Sequence, residues 1–173
     1  MQRRHSYRAF VLGALAALVL QNGIAGASTT HAAAPEAVAT DSAALSADAN
    51  ALITAINTQR TANGLPALSA DPQLDALAEL RSSDQVTRHY FSHTSPDGST
   101  IFDLLNAAGI PWTAAGENLA ESSGVDPVQA AIDGFMHSEE HRANVLSPAY
   151  RHLGVAAEAG DGRTIIITVV FTD

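Results

Sequence analysis

Seven histidines are spread over 173 residues that contain no cysteine. Thiolate zinc sites, thiol nucleophiles and disulfides are therefore excluded, which leaves imidazole and carboxylate for metal or acid–base chemistry. His5 and His31 fall in an N-terminal stretch that reads as leader and linker. Among the other five, His93 follows Tyr90-Phe91-Ser92 just before the turn-forming Ser95-Pro96-Asp97-Gly98, and His141 closes Ser138-Glu139-Glu140-His141. Between them, Gly116-Glu117-Asn118-Leu119-Ala120 sets one acid in a largely apolar, strand-like run. Two imidazoles and a carboxylate suit a borderline divalent cation such as zinc, with a fourth position open to water or a ligand. The same residues have a structural reading as well: surface or hydrogen-bonding histidines, and a buried Glu117 satisfied by backbone amides.

Other chemical patterns are weaker. His137-Ser138-Glu139-Glu140-His141 fits the letters of H-x-x-E-H, but that chemistry needs one helix presenting both histidines and a further ligand from downstream. Glu158 is the only glutamate after His141. A solvated helix end with a charged cluster is the simpler account. No G-x-S-x-G, phosphate-binding glycine loop or dinucleotide fingerprint occurs.

These residues must be positioned by elements that the apolar spacing predicts. A first helix is expected from Ala47 to Asn63, capped by Ser46 and stopped by Gly64, with Ala49, Leu52, Ile53 and Ile56 on its inner face. A second begins at Asp71-Pro72, buries Leu74, Leu77 and Ala78, and fades near Arg88. A short third covers about Thr100 to Ala108, and a fourth opens at Asp126-Pro127 with Val128, Ala131, Ile132, Phe135 and Met136 on one face. The C-terminus reads as a hairpin, with Gly154–Ala157 and Thr164–Phe171 flanking Gly160-Asp161-Gly162. Helices followed by late strands predict an α+β fold with a small antiparallel sheet.

Composition bounds the rest. With 46% apolar residues, 12 glycines and 7 prolines, the chain is an ordinary globular one of single-domain size. Arg3, Arg4 and Arg8 precede an apolar run, Ala9–Leu20, that is too short to span a bilayer and is followed by small residues at Ala25-Gly26-Ala27. Residues 1–27 thus read as a secretory signal peptide, with Ala32–Ala34 as a later cleavage option and an uncleaved anchor as the alternative. Residues 28–45 read as an Ala-rich linker, and residues 46–173 as the folded domain. Nine basic residues face 18 acidic ones, a net charge of −9. Such a surface repels phosphate backbones, so nucleic acid is not an expected partner.

The three histidine- and acid-bearing segments, in this order, resemble the CAP superfamily (cysteine-rich secretory, antigen 5 and pathogenesis-related 1 proteins). The branch they are similar to is the bacterial, disulfide-free one of SCP-like extracellular proteins. Asn57, Arg60 and Gly64-Leu65-Pro66-Ala67-Leu68 resemble the family's opening helix and turn. Phe91–Gly98 resembles its first cleft motif and Gly116–Ala120 the second. Phe135–Leu146 resembles the third, written W-x-x-S-x-x-H-R-x-N-I-L, with Phe135 in place of Trp. The resemblance spans roughly residues 50 to 172 and implies a three-layer α–β–α sandwich with a cleft lined by two histidines and two acids. His93, Glu117 and His141 match three of those positions. At the fourth, Ser138 stands where eukaryotic relatives often have Glu, with Glu139 or Glu140 nearby. Ser138 and Glu140 are therefore further cleft-lining candidates.

Three functions follow as expectations. The first is an exported binding module, secreted or held in the periplasm or envelope, whose cleft takes a lipid or cell-envelope ligand with or without a divalent cation. The second is a structural or interaction domain without metal. The third is a metal-dependent hydrolase in which Glu117 would be the base on a metal-bound water.

Overall fold

The computed structural model describes residues 36–123, 126–162 and 164–173. The expected leader and residues 28–35 lie outside the described residues. In chain order the elements are α1 (Glu36–Ala62), β1 (Ser69–Ala70), α2 (Pro72–Arg88), α3 (Ile101–Ala107), β2 (Ala115–Ser122), α4 (Pro127–His137), α5 (Glu139–Val145), β3 (His152–Ala159) and β4 (Ile165–Thr172). The strands form one sheet in the order β1-β3-β4-β2.

The sheet divides the core into two apolar layers. Because successive strand residues face opposite sides, Ile167, Val169 and Phe171 of β4 pack with Leu52 and Ile56 of α1, Ala131, Ile132 and Phe135 of α4, and Val145 of α5. Val170 points the other way, into Leu74, Leu77 and Ala78 of α2 and Ile101 and Leu105 of α3. The result is the expected α–β–α sandwich. β2 and β3 both pair antiparallel with β4 over their full lengths. The two-residue β1 adds one parallel pairing, Ser69 with His152 and Ala70 with Leu153, which makes the sheet mixed.

Local chemistry sets most boundaries where the sequence put them. Asp71 caps α2 by accepting from the Gln73 amide at 2.8 Å, ahead of Pro72. Thr100 and Asp103 form a capping box on α3. Gly64, at φ 75°, ends α1 while the Leu65 amide bonds back to the Arg60 carbonyl. Two boundaries differ. α1 starts at Glu36, inside the stretch read as linker, because residues 36–45 are alanine-rich with no glycine or proline, and alanine loses no side-chain entropy in a helix. The histidine-rich end of α4 is a second helix, not a frayed tail: Ser138 adopts an extended ψ of 129°, closing α4 and capping α5 through the His141 amide.

Gly154 lets β3 and α2 approach closely. A Cβ there would lie 2.1 Å from the Leu74 carbonyl carbon and 2.3 Å from the Asp75 nitrogen. We expect Gly154→Ala to destabilise the fold by about 3 kcal/mol or more in urea unfolding, since backbone cannot yield as a side chain can. Gly134, in α4 with open space around it, is the control: Gly134→Ala should raise stability by about 0.5–1 kcal/mol.

Candidate functional site

Glu117 occupies the second layer-facing position of β2, with its side chain 3% exposed. A carboxylate so buried needs compensation, and it receives two partners. The Arg81 Nε donates to Oε1 at 3.0 Å, and the His93 Nδ1 meets Oε2 at 2.6 Å. Arg81 comes from α2, where it continues the buried stripe Leu74-Leu77-Ala78-Arg81-Ser82-Gln85. Its guanidinium also donates to the Tyr90 hydroxyl and the Ser95 Oγ, both at 2.6 Å, and to the Ser92 carbonyl at 2.7 Å. One arginine therefore holds both Glu117 and the loop that carries His93. Tyr90 passes the network outward by donating to Asp84 at 2.5 Å.

A second network fixes the opposite wall. The Asn118 amide donates to the His141 carbonyl at 3.0 Å, and the Asn144 amide donates to the Asn118 Oδ1 at 2.9 Å and the Glu117 carbonyl at 3.3 Å. The Tyr150 hydroxyl donates to Asn144 in turn. These bonds tie α5 to β2 and present His141, whose ring packs edge-on against Phe135 at 5.4 Å. Gly116 is required beneath them, because a Cβ there would lie 2.5 Å from the Tyr150 hydroxyl.

Of the expected trio, His93 lies against Glu117 and near His141: the His93 and His141 rings stand 6.4 Å apart, centroid to centroid. Because a carboxylate can only accept, the His93 Nδ1 carries the proton and its Nε2 is left for other partners. Ser138 uses its hydroxyl as the α5 cap, and Glu140 is an exposed residue in the first turn of α5. His137 is not paired with His141 on one helix. It lies beyond the break at Ser138, with Nδ1 on the Asp133 carbonyl. Two cavities, of about 270 and 460 Å³, lie elsewhere, the first beneath Tyr90 and Phe91 and the second between α1 and α2.

Sequence reasoning missed Arg81, Tyr90, Ser95, Asn118 and Asn144. The signal for Arg81 was present, since it falls three and four residues beyond Ala78 and Leu77 on the buried face of α2. An arginine on an apolar stripe implies a buried acid elsewhere. Arg60, a residue of the opening motif, is fully buried and closes the end of α5 by donating to the Val145 and Ser147 carbonyls at 2.8 Å.

The two histidines titrate in opposite directions. The hydrogen bond to Glu117 raises the His93 value, whereas burial, and then the charge of His93, lowers that of His141. A folded-state value above the unfolded one means that the His93–Glu117 contribution is complete below about pH 6.5 and is lost as pH rises through the folded value. His141 does the reverse: its neutral form is favoured on folding, so stability falls as pH drops below about 6.5. Imidazole NMR titration should place His93 above His141, and Glu117→Gln should bring His93 down. Arg81→Met, which strands Glu117 in the core, should cost about 3–5 kcal/mol in chemical unfolding.

The model of the cysteine-rich secretory protein (CAP) family matches residues 53–171. The uncharacterized protein YkwD of Bacillus subtilis is 36% identical over 99 residues, which is 57% of this chain and 38% of that protein. The 1.5 Å structure of an extracellular protein containing an SCP domain from Bacillus anthracis superposes with a TM-score of 0.66 at 30% identity, covering 73% of this chain and 40% of the other. The chain therefore spans about two-fifths of the length of these relatives. NaASP2, solved with Zn2+, shares the fold at 14% identity and a TM-score of 0.52, over 72% of this chain and 78% of its own. Motifs, sandwich and family match agree, and the chain belongs to the CAP family, in its bacterial SCP-like branch.

Proposed function

We propose that this protein is an exported binding module whose His93–His141 cleft takes a divalent cation together with a lipid or cell-envelope ligand. The observation that carries the reading is the contact between His93 Nδ1 and the Glu117 carboxylate, with Arg81 holding that carboxylate from behind. A carboxylate behind an imidazole orients the ring and strengthens the other nitrogen as a metal ligand. Burial lowers the His141 value, which favours the neutral form a metal requires.

The donor set fits a cation held by two imidazoles, with Glu117 behind His93 rather than on the metal. Among the described residues no group of three histidines and acids is gathered around one point. Two histidines on a tetrahedral zinc would have ring centroids about 5 Å apart, so the 6.4 Å separation asks for a closure of about 1 Å. A bound cation would supply an open coordination position for a ligand's oxygen. The Zn2+ in the NaASP2 structure is consistent with this. Export rests on the leader-like N-terminus and on the extracellular relative from Bacillus anthracis.

Hydrolysis is less favoured, because both oxygens of Glu117 are already engaged and neither is free as a base. A purely structural role is the second reading, favoured by the near-complete burial of the Arg81–Glu117 pair. Zinc titration by calorimetry and thermal melting separates the two. Saturable 1:1 binding is expected, with a gain of about 2.7 kcal/mol at a hundredfold excess over Kd, lost in both His93→Ala and His141→Ala. An unchanged melt with no heat would favour the structural role. Native mass spectrometry with envelope lipids then tests the ligand class by the presence of adducts.

A further inference from the structure

We propose that the outer edge of β3 receives an extended, cationic peptide segment as an added strand, at a site separate from the histidine cleft. β1 covers only the first two residues of β3, at His152 and Leu153. Beyond it, the Asp71 amide donates to the Leu153 carbonyl and the Val155 amide donates to the Asp75 Oδ1, each at 2.9 Å. These bonds show that the backbone groups of residues 153 and 155 point away from β4. Strand groups alternate sides with a period of two, so the Val155 carbonyl and both the N–H and C=O of Ala157 face the same way. Among the described residues no partner meets them. Val155 to Glu158 line a cavity between α1 and α2, and Ala157 is only 9% exposed, so this stretch of edge lies in a recess rather than on an open surface. Unpaired backbone groups in that setting are costly and call for a partner.

The recess is the cavity of about 460 Å³ between α1 and α2. Its walls differ in character. Leu45, Ala49 and Ile53 of α1 form one side, Asp75 and Glu79 of α2 the other, with Glu158 rising from the strand itself. From residue 155 to 159 the edge runs about 13 Å, enough for a short strand. Alternate side chains of an added strand would meet the apolar wall and the acidic wall in turn, the pattern by which sheet-edge recognition becomes specific.

Charge selects the occupant. Burial, and then the neighbouring Glu79, raises the Glu158 carboxyl above its usual range, and a cation between them would relieve that repulsion. A second copy of this chain, with a net charge of −9, would bring more negative charge to an acidic wall. The occupant is therefore a segment alternating apolar residues with Lys or Arg, supplied by another molecule.

The test is amide NMR of the full chain with two probes, acetylated hexapeptides alternating valine–lysine and valine–glutamate. The lysine peptide should shift residues 155–159 and the facing part of α1, and slow Ala157 amide exchange about tenfold or more at saturation. The glutamate peptide should not. The lysine peptide N-methylated at alternate residues should lose binding, because it cannot complete the ladder. Glu79→Lys combined with Glu158→Lys should exchange the preference between the two probes, and Glu79 is exposed, so this face tolerates the change. No shift at millimolar lysine peptide, an equal response to both peptides, retention of binding on N-methylation, or protection of Ala157 through self-association would each overturn the proposal.

Discussion

The buried Arg81–Glu117 pair is the constraint on which the site depends. Taking two ions out of water costs several kcal/mol each unless every donor and acceptor is met. Here the guanidinium reaches Glu117, Tyr90, Ser95 and the Ser92 carbonyl, while the second oxygen of Glu117 is met by His93. Helix α2, strand β2 and the loop after α2 are thereby locked to one another by polar contacts rather than by apolar packing alone. The direct consequence is that His93, though half exposed, is held in one ring orientation with Nδ1 on Glu117.

The sheet makes this possible by separating two different jobs. Its α1 side holds the larger apolar layer and, through Phe135 and Val145, supports α4 and α5. Its α2 side holds the smaller layer and the charged network. His141 is delivered from the first side and His93 from the second. The short asparagine network of Asn118 and Asn144 carries the position of β2 across to α5. The two histidines thus meet where the layers on either side of the shared sheet come together, one supplied from each.

Glycines mark the points where this arrangement tolerates no side chain. Gly116 lets Tyr150 and Asn144 close on β2, and Gly154 lets the first turn of α2 rest on β3. Close docking of α2 also brings Asp75 to the Val155 amide, which leaves the next stretch of the β3 edge uncovered between two helices. The same contact therefore builds the core and defines the recess.

Much of the fold was legible in the sequence because its signals are local. Asp71-Pro72 and Asp126-Pro127 mark helix starts, Gly64 marks a stop, and the period of apolar residues separates helix from strand. The near-continuous apolar run Ile165–Phe171 announced a strand buried on both faces, and the motifs around His93, Glu117 and His141 carried the family resemblance. Other features depend on contacts that no local pattern encodes. Residues 36–45 carry only Val38 and Leu45 as bulky apolar residues, seven apart and too few to set a helical period, so periodicity could not reveal their helix. The two-residue β1 is too short to carry a pattern of its own. The direction of the Glu117 carboxylate, towards Arg81 and His93 rather than onto a shared metal point, follows from where α2 docks on the sheet. Residue types and spacing by themselves determined an α+β fold, and the three motifs, through their resemblance to the CAP family, supplied the layered sandwich and singled out His93, Glu117 and His141. Only the tertiary structure decided which atoms of those groups are already engaged, because that is set by the pairing of charges across elements far apart in the chain.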